Sequence, residues 1–293
     1  MSEENVTFVS DGLRLQGVVR VPSGLKRGER RPAFIVLHGF GSNKEARNVV
    51  EPCEFLDRLG YATLRFDMRG CGASEGERGR VICLEQVQNT RDALVFLAEH
   101  PAVQRDRIAL IGSSFGAAVA IHTGGVDPRV AAVISSGGWG HGERKFRGQH
   151  PTPEAWALFT GMLEEGRRHR QRTGQSLMVP RYDIVPIPPA LRNQVNPNAI
   201  QMFPAETAQS MFDFRADEVV ANIAPRPLLL LHSAVDSVTP TEQSIELFKR
   251  AGKPTDLHLF AETDHFMFAE DNPRVLAVVR DWLERYFPVA TQS

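Results

Sequence analysis

Short apolar runs alternate with stretches of helical apolar spacing along most of the chain. Val6 to Val9 and Leu13 to Val21 flank Ser10-Asp11-Gly12, and Asp-Gly between two apolar runs is a strong signal for a β-hairpin. Later apolar runs have the length and bounding residues of buried strands. These predicted strands are 33–37, 62–66, 107–111, 130–135, 227–232 and 257–260.

The segments between these runs carry the spacing and end signals of helices. Gly60 follows a helix predicted over 46–59, Pro101 ends one over 81–99, and Asn272-Pro273 begins the last one, which runs to 286. Further helices are predicted directly after Gly116 and over 241–251. Alternation of strands and helices predicts an α/β fold, with a mostly parallel sheet covered on both faces. Ligands bind such sheets beyond the carboxyl ends of the strands.

The most informative of those strand ends is Gly112-Ser113-Ser114-Phe115-Gly116, which fits G-x-S-x-G. This motif places a serine on a sharp strand-to-helix turn, where a side chain at either glycine would crowd the backbone. The serine then lies at a helix N-terminus, whose free N–H groups can hold an anion. A non-catalytic crossover rich in Gly and Ser has the same local pattern, so the motif needs partners.

Two further strand ends supply those partners. Asp236 and His265 each follow a predicted strand, and the chain order Ser114, Asp236, His265 is the nucleophile–acid–base order of the α/β-hydrolase fold. Asp264 is a competing acid because it adjoins His265. We favour Asp236, since a carboxylate that orients the imidazole must reach it from a separate loop. The main-chain N–H groups of Phe40 and Phe115 are expected to form an oxyanion hole.

The chain resembles the α/β-hydrolase superfamily in His38-Gly39-Phe40, the G-x-S-x-G turn, the Asp236 loop and Asp264-His265. The likeness covers nearly the whole chain apart from roughly 139–215. The segment 67–74, Asp-Met-Arg-Gly-Cys-Gly-Ala-Ser, looks like the D-x-R-G-x-G-x-S loop of these hydrolases, which we interpret as a structural turn. Within the superfamily the chain looks most like bacterial serine esterases of the cinnamoyl or feruloyl esterase and dipeptidyl-peptidase-like group.

These residues predict a serine hydrolase that cleaves a carboxylic ester of a small or medium-sized substrate, aromatic ones included. His265 would take the Ser114 proton and later give it to the leaving group, while Asp236 fixes the imidazole tautomer. Thioesterases, amidases or peptidases and carbon–carbon bond hydrolases use the same three residues, so these activities remain alternatives. A non-catalytic binding protein on this fold is a further alternative, although such proteins often lose a triad residue.

The segment 139–214 lacks the strand–helix alternation of its flanks. We predict a core domain of 1–138 and 215–293, with 139–214 inserted as a mainly helical cap. Thr152-Pro153 is a good helix start, a second helix is predicted over 204–212, and the proline-rich piece 180–197 is predicted to be a loop. Large side chains of the cap are expected to form the substrate pocket: Trp139, Trp156, Phe159, Met211 and Phe212. The opposite interpretation, that such a stripe docks on the core, remains open.

Composition and charge narrow the class of partner. A net charge of −1 over 293 residues gives no electrostatic reason to expect nucleic acid or an acidic membrane surface. No apolar run approaches the roughly 18 residues of a membrane span, and the N-terminus lacks a signal-like core. Cys53, Cys71 and Cys83 are odd in number and have no metal-type spacing, which predicts reduced thiols and a cytoplasmic location. No His/Cys cluster offers metal-ligand spacing, and acyl transfer by the three residues is expected to need no metal or organic cofactor. The expected partner is a small-molecule ester substrate. The sequence leaves the oligomeric state open and is compatible with a homodimer.

Overall fold

A computed structural model describes residues 2–26, 28–270 and 272–289, and its strands are numbered here in chain order. They are β1 (Ser2–Ser10), β2 (Leu13–Val21), β3 (Arg31–Leu37), β4 (Ala62–Phe66), β5 (Val103–Ser113), β6 (Val130–Ser136), β7 (Met178–Pro180), β8 (Met202–Pro204), β9 (Leu228–Ser233) and β10 (Thr255–Phe260). Every predicted strand is present, and most extend a residue or more beyond the apolar run that signalled them.

One eight-stranded sheet has the order β1-β2-β4-β3-β5-β6-β9-β10. The hairpin of β1 and β2 is antiparallel, and β2 pairs with β4 in antiparallel register. The other six strands of this sheet, β4, β3, β5, β6, β9 and β10, pair with one another in parallel. The carboxyl ends of these parallel strands therefore meet at one edge. The remaining pair, β7 with β8, is a separate antiparallel ribbon.

The α-helices are likewise numbered in chain order. They are α1 (Arg47–Arg58), α2 (Cys83–Ala98), α3 (Phe115–Val126), α4 (Gly142–Gln149), α5 (Pro153–Thr173), α6 (Arg181–Ile184), α7 (Ala205–Asp213), α8 (Glu242–Arg250) and α9 (Pro273–Tyr286). The predicted start of α5 is confirmed, because Thr152 Oγ1 accepts the N–H of Ala155 as an N-cap. The helix ends at Gly174, which has a φ of 73°.

Apolar side chains of the sheet enter two buried clusters, one on each face. On one face, Phe34 of β3 and Ile111 of β5 pack in a cluster with Val279 and Trp282 of α9. On the other face, Ile35 and Leu110 belong to a cluster that includes side chains of α2 and α3. Side chains alternate along a strand, so successive apolar residues of β3 and β5 serve opposite clusters. The predicted α/β-hydrolase architecture is confirmed.

The segment between β6 and β9 extends the second cluster. Trp139, Phe146, Phe159, Phe203 and Met211 are all almost fully buried within it. α7 packs against both α4 and α5. The large apolar side chains of this segment therefore bury one another and continue the core, which is the alternative that the sequence left open.

Lys145 of α4 is a buried cation within that extension. Its Nζ lies 3.9 Å from the ring centroid of Phe146 and 5.3 Å from that of Trp139. It forms no hydrogen bond with any residue that the structure describes. Burial lowers the pKa of Lys145 from 10.5 to about 7. Burying a charge without a hydrogen-bonding partner costs free energy, so this amine destabilises the folded state when protonated.

We expect Lys145→Met to stabilise the protein at pH 7 and to flatten its pH dependence. Above pH 7 the Lys145 amine loses its proton in the folded state, whereas the unfolded chain keeps it up to about pH 10. The free energy of unfolding therefore rises with pH in that window, by about 2 kcal/mol between pH 7 and 9. Urea unfolding at several pH values measures this slope. Lys249→Met is the matched control, because Lys249 is exposed on α8. A slope that is the same in Lys145→Met and wild type would contradict the prediction.

Candidate active site

Ser114 occupies a strained turn between β5 and α3. Its φ of 56° and ψ of −117° lie outside the regions that non-glycine residues favour. The two glycines of the motif allow close packing rather than a positive φ. A Cβ at Gly112 would lie 2.3 Å from the carbonyl carbon of Gly116, and one at Gly116 would lie 2.5 Å from the carbonyl oxygen of Leu37. Any side chain at these positions would therefore displace the turn that presents Ser114.

The structure brings Ser114, His265 and Asp236 together. His265 Nε2 lies 2.8 Å from Ser114 Oγ, and His265 Nδ1 lies 2.8 Å from Asp236 Oδ2. The histidine and aspartate side chains are almost fully buried. Because Nδ1 faces a carboxylate, the neutral imidazole carries its proton there and presents Nε2 as an acceptor for the Ser114 hydroxyl. This geometry suits proton transfer from serine to histidine.

Asp236 is held in place by donors besides His265. Its Oδ1 accepts the N–H groups of Val238 at 2.8 Å and Thr239 at 2.7 Å. His232, which the sequence analysis did not assign to the site, places Nε2 3.3 Å from Asp236 Oδ2. Burial alone would raise the pKa of Asp236, but its electrostatic and hydrogen-bond interactions with the His265 and His232 imidazoles outweigh burial and hold that pKa below its usual range. The carboxylate is therefore ionised at neutral pH.

Asp264 does not bond the His265 ring. Its Oδ1 accepts the main-chain N–H of Ser237 at 2.9 Å and of His265 at 2.8 Å, and its Oδ2 accepts the Ser237 hydroxyl at 2.8 Å. These bonds tie the loop after β9 to the loop after β10. The geometry therefore places Asp236, and not Asp264, against the imidazole.

The loop after β3 passes beside Ser114. A Cβ at Gly39 would lie 3.8 Å from Ser114 Cβ, and the ring centroids of Phe40 and Phe115 are 6.2 Å apart. Phe115 begins α3, so its N–H has no partner within the helix. The ring of His38 bonds the Gly39 carbonyl and the Met68 N–H, and burial lowers its pKa, which favours a neutral structural role.

A cavity of about 50 Å³ lies beside Ser114 and His265. Its wall includes residues of the segment between β7 and β8, which the sequence analysis treated only as a loop. The lining residues from this segment are Arg181, Val185, Ile187, Gln194, Val195 and Asn196. Phe40, Val238 and Phe266 add apolar surface from the loops of the sheet. No period of apolar residues marks this proline-rich segment, so the sequence offered no signal for its place at the site.

The five side chains predicted to form the pocket lie elsewhere, which corrects that prediction. Trp139 packs edge-on against Phe214, with ring centroids 5.4 Å apart. Phe159 stacks on Phe146 and His150 at 4.4 and 4.6 Å, and Trp156 and Phe212 lie beside it. Met211 is buried against the same core. These large side chains pack against one another and against their neighbours. None of the five lines the cavity at Ser114.

The segment 67–74 forms a turn that holds Asp67 inside. Asp67 accepts from the main-chain N–H groups of Lys44 at 2.7 Å and Ala73 at 2.9 Å, and Lys44 Nζ lies 3.0 Å away. Cys71 in this turn is buried, and burial raises its pKa to about 12, which makes it unreactive as a thiolate at neutral pH. The segment is therefore structural, as predicted.

The described residues contain neither a membrane-spanning helix nor a cluster of metal-ligating side chains. No helix there combines the length and apolar character needed to cross a membrane. Among the same residues, no group of three or more His, Cys, Asp or Glu side chains is placed to hold a metal ion.

Known proteins match both the sequence and the fold of this chain. The family model of serine aminopeptidase S33 matches residues 28–272. The polyketide transferase grgF of Penicillium sp is 25% identical over 98% of this chain and 97% of that protein, and its crystal structure superposes with a TM-score of 0.81 over 98% and 99% of the two chains. The thiohydrolase aneE of Aspergillus aculeatus is 28% identical over 87% of this chain and 83% of that protein.

Est1E of Butyrivibrio proteoclasticus, solved with ferulic acid bound, shares the fold with a TM-score of 0.69 at 18% identity, over 96% of this chain and 98% of that one. The sheet order, the strained serine turn and the family match all indicate an α/β hydrolase. This chain belongs to the serine aminopeptidase S33 family of α/β hydrolases.

Proposed function

We propose that this protein is a serine carboxylesterase that cleaves esters of small acyl groups through an acyl-enzyme. The observation that carries the proposal is the pair of 2.8 Å contacts that link Ser114, His265 and Asp236 beside a cavity. Family membership supports a hydrolase, and the small, largely apolar cavity supports a short acyl group over a long lipid chain.

The proposed reaction begins with proton transfer from Ser114 to His265 as the serine oxygen attacks the ester carbonyl. The N–H groups of Phe40 and Phe115 would stabilise the oxyanion, and one good donor of this kind is worth about 3–4 kcal/mol. Protonated His265, stabilised by Asp236, gives its proton to the leaving alkoxide. Water then attacks the acyl-enzyme with His265 as the base, which releases the acid and restores Ser114.

The segment 139–214 would act as the cap of this site. Only its part near 181–196 would form the cavity wall, while its helices would continue the core. This division explains how an insertion rich in aromatic side chains covers a site without presenting those side chains to the substrate.

A thioester is the second candidate substrate. One relative is named a thiohydrolase and another a polyketide transferase, and we take the first of these names to favour a thioester. The same acyl-enzyme forms from an ester or a thioester, because only the leaving group differs.

A substrate panel with one acyl group on three leaving groups tests both candidates. We expect the p-nitrophenyl ester and the thioester to turn over, and the anilide to react far more slowly because its leaving group is poorer. A similar kcat for the ester and thioester would indicate a shared acyl-enzyme. The proposal is wrong if only the anilide is cleaved, or if no member is cleaved and a fluorophosphonate fails to label the protein.

A further inference from the structure

We propose that Arg181 is a positioning residue for catalysis: it holds the oxyanion loop, residues 39–43, and leaves a buried positive charge to be balanced by the oxyanion. This inference rests on the proposed function. It assigns a role to a side chain of the insertion that none of the triad or oxyanion-hole assignments uses.

Arg181 joins the insertion to the oxyanion loop by hydrogen bonds. Its Nη2 donates to the carbonyl oxygen of Phe40 at 2.7 Å, and its Nε donates to the carbonyl oxygen of Ile200 at 2.9 Å. The residue is only 3% exposed. Its guanidinium also lies over the ring of Phe40, 5.2 Å from the centroid. This is within the roughly 6 Å reach of a cation–π contact. A planar group with several fixed donors suits this task better than a flexible ammonium.

The same loop is held by two more residues of the insertion. Phe203 stacks on Phe40 with ring centroids 4.2 Å apart and planes 20° apart. The N–H of Ile200 donates to the carbonyl oxygen of Gly41 at 2.9 Å. Gly41 has a φ of 52°, and a Cβ there would lie 2.4 Å from Phe203 Cζ. The backbone at Phe40 and Gly41 is thereby fixed, and with it the direction of the Phe40 N–H.

The charge of Arg181 gives this arrangement a catalytic consequence. Burial lowers the pKa of Arg181 to about 10, so the guanidinium stays protonated at neutral pH. Its guanidinium donates to the carbonyl oxygens of Phe40 and Ile200, and among the described residues it forms no ion pair with a carboxylate. A buried cation without a counter-ion is unfavourable in the resting enzyme. Negative charge that develops beside Phe40 in the transition state would offset that cost, which favours the transition state over bound substrate.

The alternative is that Arg181 only fastens the insertion to the core. A fastening role predicts a loss of stability, or weaker substrate binding, without a selective effect on the tetrahedral state. The two roles are separated by measuring ground-state and tetrahedral-state binding in the same variants.

The test compares Arg181→Met, Arg181→Lys and Arg192→Met. Arg192 is the matched control, because it also bonds a carbonyl of the insertion, that of Ile187 at 3.0 Å, and covers the ring of Tyr182. For each variant we would measure kcat and KM for the p-nitrophenyl ester, and the affinity of a trifluoromethyl ketone. The Ser114 oxygen adds to the carbonyl carbon of that ketone, and the serine proton passes to His265. The resulting adduct reproduces the oxyanion of the tetrahedral state.

We expect Arg181→Met to lower kcat by about 10²–10³-fold, the range found when an oxyanion-hole donor is lost, with KM within about threefold of wild type. Ketone affinity should fall by a similar factor. Arg181→Lys, which keeps the charge and one possible donor to Phe40, should recover part of both. Arg192→Met should match wild type within about twofold.

Ketone affinity that is unchanged in both Arg181 variants, or a raised KM with unchanged kcat, would overturn the inference. If Arg181→Met does not fold, Arg181→Lys decides the question by the same two readouts. Failure of the wild-type protein to bind the ketone at all would instead refute the proposed function on which the inference rests.

Discussion

Replacement of Ser114 by alanine is expected to lower the kcat of ester hydrolysis by about 10⁶-fold, the size of loss seen when a serine nucleophile is removed. The reason is that water must then attack without covalent catalysis. The fold should persist, because the side chain makes one hydrogen bond, to His265, whose loss costs about 1 kcal/mol. The measurement is kcat/KM for the p-nitrophenyl ester, together with the melting temperature.

Ser113→Ala is the matched control for that change. Ser113 is the adjacent serine, and its hydroxyl approaches the carbonyl oxygen of Asn48 at 3.5 Å rather than His265. A fluorophosphonate should label the wild type and Ser113→Ala, but not Ser114→Ala. Labelling that persists in Ser114→Ala would show that another residue is the nucleophile.

Replacement of Asp236 by asparagine is expected to lower kcat by about 10⁴-fold, as occurs when the acid of such a triad becomes an amide. The NH2 group of the amide can donate a hydrogen bond to His265 Nδ1. This favours the tautomer that carries its proton on Nε2, so the acceptor for the Ser114 hydroxyl is lost. Two other donors, the N–H groups of Val238 and Thr239, would still bond the amide oxygen, so the loop should keep its shape.

Asp264→Asn tests the competing acid in the same assay. An amide oxygen can still accept the two main-chain N–H groups that Asp264 Oδ1 now accepts, and only the bond with the Ser237 hydroxyl must be rearranged. We therefore expect a loss of about tenfold or less, far below the effect at Asp236. If Asp264→Asn were the more damaging change, the assignment of the acid would be wrong.

Local pattern was sufficient for the architecture of this protein. The apolar runs of β3, β5 and β9 could be assigned to buried strands from the sequence, because each run is short and is bounded by turn or helix-end signals. Their alternation with helices implied a parallel sheet, and a parallel sheet brings its carboxyl ends to one edge. Ser114, Asp236 and His265 each follow such an end. Their proximity could therefore be predicted without knowing a single distance.

The wall of the cavity could not be predicted in this way. Trp139 and Phe212 are large and apolar, but apolarity indicates only that a side chain tends to be buried. Trp139 is buried against Phe214, and Phe212 is half-buried beside Trp156. Arg181 lies in a proline-rich piece without periodicity, and its partner Phe40 is 141 positions away in the chain. Local sequence determines which residues form strands, helices and tight turns. Contacts between segments so far apart depend on how the segment between β6 and β9 packs against the loops of the sheet, and only the tertiary structure decides that.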